Sequence, residues 1–421
     1  MMSKLIFANF VNKLMTDVPG EAHVRALTAP AARKIWYAEP NDVIVLPGPP
    51  DEVFLEYAAG LIGIRRNDVR FVVPGGAQDE YLANRIGRDS TSLSVLKECA
   101  SAYPGMRAEV FAQDEPTIEL FRALQMPIED YSSVPGAAVA AVVSRLNTKS
   151  GFKDFAAGVG IRCIEGRLAF GIAEVIKVVR DIFSETGSVV VKIDRGSNGF
   201  GHWVVREASR IPEGAAHLLQ FYEQPDRYVV EPQLNFVATP SIEYFVGHDG
   251  PRYTRTIDMR CINNAWRGQT SPQVLSAELR THLEGWGRAA ADYLYRKGYR
   301  GPFDIDCGLT EDGMLYATEM NCRHTGSTNI AHLLKRLTGR ACDDLFWLSD
   351  NPLIDSGLTF SDALRRIRER GIAWSESTQV GVIFTANTVA FDKKWRYLVV
   401  GQDFEDMLAR ERALLDILEG G

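Results

Sequence analysis

The stretch from Gly298 to Ser327 holds the densest set of side chains able to do chemistry. A short apolar run, Phe303-Asp304-Ile305-Asp306-Cys307, carries an inward carboxylate at Asp306. A turn follows at Glu311-Asp312-Gly313, and a second run from Met314 closes on Glu319-Met320-Asn321. Two such runs predict a β-hairpin. Alternate side chains of a strand share a face, so Glu319 and Asn321 point the same way. A modest register then sets Asp306 beside them. Two carboxylates and an amide oxygen are hard ligands, suited to Mg²⁺ held partly by protein and partly by phosphate oxygens. The competing reading is an ordinary hairpin with solvated acids. Unpartnered carboxylates inside apolar strands are costly, which argues against it.

A second group precedes the first. Lys192 sits in the apolar run Ser188–Asp194, and the loop Arg195-Gly196-Ser197-Asn198-Gly199-Phe200-Gly201 follows. Glycines let backbone N–H groups approach phosphate oxygens, and the ammonium of Lys192 needs an anion. A Gly-rich hairpin turn is the bland alternative. No Walker lysine or helix start accompanies the loop. His202 reads as a strand histidine or as a phosphate contact. In Tyr228–Leu234, Glu231-Pro232 breaks the ladder and frees backbone groups that could read an adenine edge. Cys322 reads as a small strand-end residue rather than a nucleophile.

The elements that must position these groups are read as α/β. Apolar β-branched runs at Lys4–Phe10, Asp42–Leu46, Asp68–Val73 and Arg107–Ala112 alternate with helical patterns, predicting an open parallel sheet over residues 1–130. A second unit, 131–235, is predicted to contain a strand at Gly160–Ile164, a helix at Ile172–Phe183 and the lid hairpin. A third, 236–345, carries strands at Ser241–Val246 and Tyr253–Ile262, a loop at Trp266–Pro272, the helix Ala277–Gly298 and the acidic hairpin. After it a helix begins at Ile330. Residues 341–373 read as helical, Val380–Thr388 and Trp395–Val400 as strands, and Phe404–Leu418 as a closing helix; 346–421 forms a C-terminal extension.

The chain has 421 residues, 46% of them hydrophobic, and a formal net charge of −7. That charge and the lack of a basic run argue against a nucleic-acid partner. No apolar segment is long enough to span a bilayer. Six cysteines without a CxxC pair predict reduced thiols, a cytoplasmic setting and no zinc site. There is no GxGxxG fingerprint of a dinucleotide enzyme.

In this order, Lys192 with its Gly loop, the Glu231-Pro232-Gln233-Leu234 hinge and Asp306…Glu319-Met320-Asn321 resemble the ATP-grasp superfamily over roughly residues 130 to 345. The Gly298-Tyr299-Arg300-Gly301 approach is similar to that of D-alanine–D-alanine ligases, and Glu319–Arg323 to the biotin carboxylase pattern. The N-terminal layout resembles the pre-ATP-grasp domain of peptide ligases of the pheganomycin type. The resemblance implies a nucleotide between two ATP-grasp subdomains. ATP would meet Lys149, Lys192, Ser197, Asn198 and Gly199, with the hinge backbone of Glu231, Pro232, Gln233 and Leu234 on adenine. Mg²⁺ would sit on Asp306, Glu319 and Asn321. Two departures stand out. Asp304 occupies a position that is often arginine, and Ala238 one that is often a ribose-binding acid. Asn235, Ser241 or Glu243 would replace the latter. Arg323 is the first choice for the catalytic cation, with Arg260 and Arg267 behind it.

The implied activity is ADP-forming ligation of a carboxylic or amino acid to an amine or peptide, through an acyl phosphate, in peptide natural-product or antibiotic biosynthesis. A non-catalytic ATP-binding regulator, carboxylation and acid–thiol ligation are the alternatives. A homodimer is left open.

Overall fold

The computed structural model describes residues 3–15, 21–76, 80–196, 201–211, 227–262, 265–273 and 275–420. Three sheets organise them. The first is built from short apolar strands, β1 (Leu5–Phe7), β2 (Val43–Val45), β3 (Arg70–Val72) and β4 (Ala108–Val110). Their order is β3-β2-β1-β4 and every pairing is parallel. Val-Ile-Val and Leu-Ile-Phe are buried on both faces, as a helix-covered parallel sheet requires. Asp51 caps helix α1 (Glu52–Leu61) by accepting from the Phe54 N–H at 2.7 Å.

The second sheet has order β5-β8-β6-β7, with β5 at Arg167–Ala169, β6 at Val189–Ile193, β7 at His202–Val205 and β8 at Tyr228–Pro232. All of its pairings are antiparallel. Helix α2 (Lys149–Val159) leads into it. Thr148 caps that helix by accepting from the Gly151 N–H at 3.0 Å, which sets Lys149 in the first turn.

The third sheet is the largest. Its strands are β9 (Phe236–Ala238), β10 (Pro240–Gly247), β11 (Gly250–Ile262), β12 (Ala265–Ser271), β13 (Gly301–Thr310), β14 (Leu315–Asn321), β15 (Phe346–Asp350), β16 (Gly381–Asn387) and β17 (Trp395–Gly401). The order is β14-β13-β10-β11-β12-β15-β17-β16, and β9 pairs β13. The C-terminal strands therefore continue the sheet that bears the acidic hairpin. Helix α3 (Ala277–Arg296) buries Leu283, Trp286 and Leu294 against it. The N-terminal domain is tied to the far end: the Trp36 indole N–H donates to the Thr385 carbonyl at 2.9 Å, and the Phe384 N–H to the Tyr57 hydroxyl at 3.1 Å.

The α/β reading holds, with four local corrections. Trp266–Pro272 is not a loop; most of it is β12, a central strand. Its polar composition is tolerated because β11 and β15 satisfy the backbone on both sides. Gly268 makes this possible, since a Cβ there would lie 1.9 Å from the Ser349 carbonyl oxygen. Gly160–Ile164 forms no strand; β5 comes later, and Cys163 makes only a single bridge to Ala317. Residues 341–373 hold the buried strand β15 before a helix at Phe360–Glu369. Finally, α4 (Gly326–Thr338) starts before Ile330, because Thr325 and Thr328 form a capping box.

Candidate active site

A cavity of about 500 Å³ opens between the three sheets. The β13–β14 hairpin forms one wall. Its register pairs Asp306 with Glu319 and Asp304 with Asn321. Directly paired residues share a face, so these four side chains stand together. Strand β10 extends the row, placing Ser241 against Asp306 and Glu243 against Asp304.

The acids crowd one another. Burial, then the Asp304 and Glu319 carboxylates, push Asp306 well above the usual carboxylate range. Burial and Glu243 push Asp304 up to about 7. The Asn321 amide N–H groups donate to Asp304 at 2.9 Å and to Asp306 at 3.3 Å. Its oxygen accepts from Arg323 at 2.6 Å. A donor thus stands between the carboxylates where a cation would neutralise them. Among the described residues no three His, Cys, Asp or Glu side chains group to hold a metal unaided. The set fits an ion that takes two carboxylates here and its remaining oxygens from a bound ligand. Ligation by Asn321 requires its amide to turn over, since its oxygen now faces Arg323.

The lid sheet forms the second wall. Lys149 is 5% exposed and reaches Glu319 at 3.5 Å and the Gly196 carbonyl at 3.3 Å. Lys192 pairs with Glu231 at 2.6 Å. Lys153 binds the same carboxylate, as its second cation. Burial alone would raise Glu231, but the two ammonium groups outweigh it and hold the carboxyl below its ordinary value. Gly166 leaves room for this carboxylate, because a Cβ there would meet Glu231 Cγ at 2.7 Å. The anion that Lys192 needs is thus supplied by the hinge itself. His202 is half-buried beside Lys149 and Lys192; desolvation and these cations keep it neutral, well below the ordinary histidine value.

Pro232, Gln233 and Leu234 line the cavity next to Phe236. Asn235 is exposed and does not. Ser197, Asn198 and Gly199 lie outside the described residues.

The predicted arginines separate. Arg323 is in the cavity, with Asp304, Glu319 and Asp306 opposing the effect of burial on its guanidinium. It lies 5.9 Å from the Phe111 ring centre. The structure does not bring Arg260 and Arg267 to it. Arg260 pairs with Glu411 at 2.5 Å and Asp350 at 3.2 Å, and Arg267 with Asp350 at 3.1 Å, around a second cavity. A register shift between Arg260 and Cys261 interrupts the face pattern there, and Cys261 also lines the main cavity. Glu243 is occupied too, binding Arg255 and accepting from Ser327 at 2.9 Å and Thr328 at 3.0 Å. This network fixes the start of α4 beneath the acids. Cys322 is buried and burial raises its thiol, which suits packing.

Sequence reasoning missed Lys153, Arg255 and the wall opposite the lid. Lys153 had a signal, its i+4 spacing from Lys149 on a capped helix. Arg255 stands directly across from Glu243, a pairing visible only once the register is known.

Residues 31–126 match the family model described as the Pre ATP-grasp domain. The solved structure of an N5-carboxyaminoimidazole ribonucleotide synthetase in complex with ADP superposes with a TM-score of 0.62 at 12% identity, covering 99% of this chain and 98% of that one. The chain has the ATP-grasp fold. Biotin carboxylase from Campylobacter jejuni, as a complex with an ATP analogue, gives 0.62 at 14% identity over 99% and 91%. The N5-carboxyaminoimidazole ribonucleotide synthetase of Thermus thermophilus gives 0.60 at 15% over 99% and 98%. At such identities the ATP-grasp likeness is one of fold. Residues 362–414 match the model described as the PGM1 C-terminal domain. No curated protein sequence matches the chain. No helix among its described residues is long and apolar enough to cross a membrane.

Proposed function

We propose that the chain is an ADP-forming carboxylate–amine ligase that uses ATP and Mg²⁺ to make an amide or peptide bond. The observation that carries the reading is one cavity that joins the Lys149–Glu319 contact, the hinge at Pro232–Leu234, the Asp306–Glu319 pair and Arg323. Solved structures of the same fold hold nucleotides, one of them MgADP on a 2-oxoglutarate carboxylase biotin carboxylase domain of Hydrogenobacter thermophilus, which supports a nucleotide in this cavity. We read residues 1–130 as the pre-ATP-grasp domain, 131–235 as the lid, 236–345 as the catalytic subdomain and 346–421 as the extension.

In this reading Gln233 and Leu234 hold adenine, Lys149 and Lys192 the phosphates, and Asp306 and Glu319, with Asn321, the metal. Bound there, Mg²⁺ offsets charge on the β- and γ-phosphates. Arg323 holds the substrate carboxylate in line with the γ-phosphate. A carboxylate oxygen attacks phosphorus, the bond to the bridging oxygen breaks, and ADP leaves. The amine then attacks the acyl carbon, gives up a proton and releases inorganic phosphate. Positioning and charge neutralisation supply the rate, so no covalent protein nucleophile is needed. The resemblance of the N-terminal layout to that of peptide ligases of the pheganomycin type extends the reading to a peptide natural-product role.

The test is ADP release from the full chain across acids and amines, with mass spectrometry of the products. An amide product carries the reading. Turnover with bicarbonate as the sole acid replaces it with carboxylation. MgATP binding without turnover on any pair leaves a regulator.

A further inference from the structure

The wall opposite the lid holds positive charge that the ligase reading does not use. Arg33, from the N-terminal domain, lines the cavity with its Nε fully buried and without a hydrogen-bond partner. Among the described residues no acid pairs with it. Its guanidinium lies over Phe10, 4.7 Å from the ring centre. The charge of Arg396 opposes it from the C-terminal strand β17. Lys394, just before β17, also lines the cavity and makes no ion pair among the described residues. Arg396 is matched by Asp392 at 2.7 Å. Three cations thus face one carboxylate. Gln269 on β12 lines the same cavity, is wholly buried, and has both amide atoms unpartnered.

A wholly buried amide and two half-buried cations left without partners cost stability that a bound anion would recover. The segments that supply the cations are the ones matched by the two family models, 31–126 and 362–414. They come from opposite ends of the chain and are held together beside this cavity by the Trp36–Thr385 and Tyr57–Phe384 hydrogen bonds. Phe10 and Phe111 pack tilted with centroids 4.4 Å apart, and the Arg323 guanidinium lies 5.9 Å from the Phe111 ring centre. An aromatic floor therefore runs between a cation beside the acidic hairpin and a cationic end remote from it.

We propose that Arg33 and Lys394, with the Gln269 amide, bind an oxyanion at the far end of the second-site substrate, so that this substrate is anionic at both ends. The oxyanion is a carboxylate or a phosphate ester. The inference rests on the ligase reading, because it assigns the opposite end to Arg323.

The experiment uses the full chain saturated with MgADP, which fills the α- and β-phosphate positions; phosphate bound in the open γ position would not respond to Arg33 or Lys394. Glutarate and inorganic phosphate are titrated calorimetrically as separate arms, with glutaramide as the neutral control. The expected result is binding of glutarate, phosphate or both but not glutaramide. Arg33→Gln and Lys394→Gln should each weaken it by about tenfold or more, and Arg33→Lys should recover part of the loss. ADP affinity and melting temperature should hold in all three. Binding of neither anion at millimolar concentration, or unchanged affinity in both Gln variants, overturns the inference while the nucleotide site stands. Failure of the unaltered chain to bind MgADP overturns the ligase reading, and this inference with it.

Discussion

Asp306 and Glu319 face each other directly across β13 and β14, with Lys149 3.5 Å from Glu319 and Asn321 bonded to Asp306. Burial and the neighbouring carboxylates raise Asp306, so a bound cation relieves strain in the resting site. Asp306→Asn should therefore leave the metal-free protein as stable as before or more so. MgADP at about one hundred times its Kd should raise the stability of the unaltered chain by about 2.7 kcal/mol. The variant should lose the Mg²⁺-dependent part of that gain. Thermal unfolding with ADP, with and without EDTA, checks it.

Glu231 is shared by Lys192 and Lys153. Lys192→Met should weaken nucleotide binding with little loss of stability, since Lys153 still pairs the carboxylate. Glu231→Gln strands two ammonium groups and should cost about 3–5 kcal/mol. Urea unfolding and ADP titration of both variants separate the roles; a stable Glu231→Gln protein would contradict the shared pair.

Gly268 lets β15 close on β12. Gly268→Ala forces a Cβ against the Ser349 backbone and should destabilise by about 1–3 kcal/mol. Gly285→Ala, in α3 with open space at its Cβ, should instead stabilise by about 0.5–1 kcal/mol. Denaturant midpoints of the two variants give the comparison.

Much of the acidic hairpin was legible because strand alternation alone places Glu319 and Asn321 on one face. The parallel sheet was legible from its apolar runs. Two kinds of information were not. The register shift between Arg260 and Cys261 is a local irregularity with no composition signal, and it left Arg260 and Arg267 facing Asp350 and Glu411. Arg33, Gln269 and Lys394 are far apart in sequence, and only the continuous run of β12, β15 and β17 under the N-terminal domain brings them to one wall. Gln269 also lay in a stretch whose polar residues read as loop.

His324 and His332 fold as neutral rings. Burial, then Lys34, lowers His324 to about 3, and burial lowers His332 to about 4 against the pull of Glu109. His332 stacks on Tyr37 at 4.1 Å. Both folded values lie below that of the unfolded chain, near 6.5. Below about pH 6.5 the unfolded chain binds the extra protons, so stability falls as pH drops toward 4. Each histidine contributes a slope of at most about 1.4 kcal/mol per pH unit. His332→Asn should flatten the profile between pH 6.5 and 4 while leaving it parallel to that of the unaltered chain above pH 7.5. Unfolding free energy measured across that range decides it.

The most direct measurement is ADP release by Glu319→Ala beside the unaltered chain, in MgATP with an acid and amine pair that supports turnover. The account predicts that the variant stays folded by circular dichroism and forms ADP at least about a thousandfold more slowly, as expected when a group holding charge on the transferring phosphoryl is removed. A folded Glu319→Ala protein that turns over at the normal rate would contradict it.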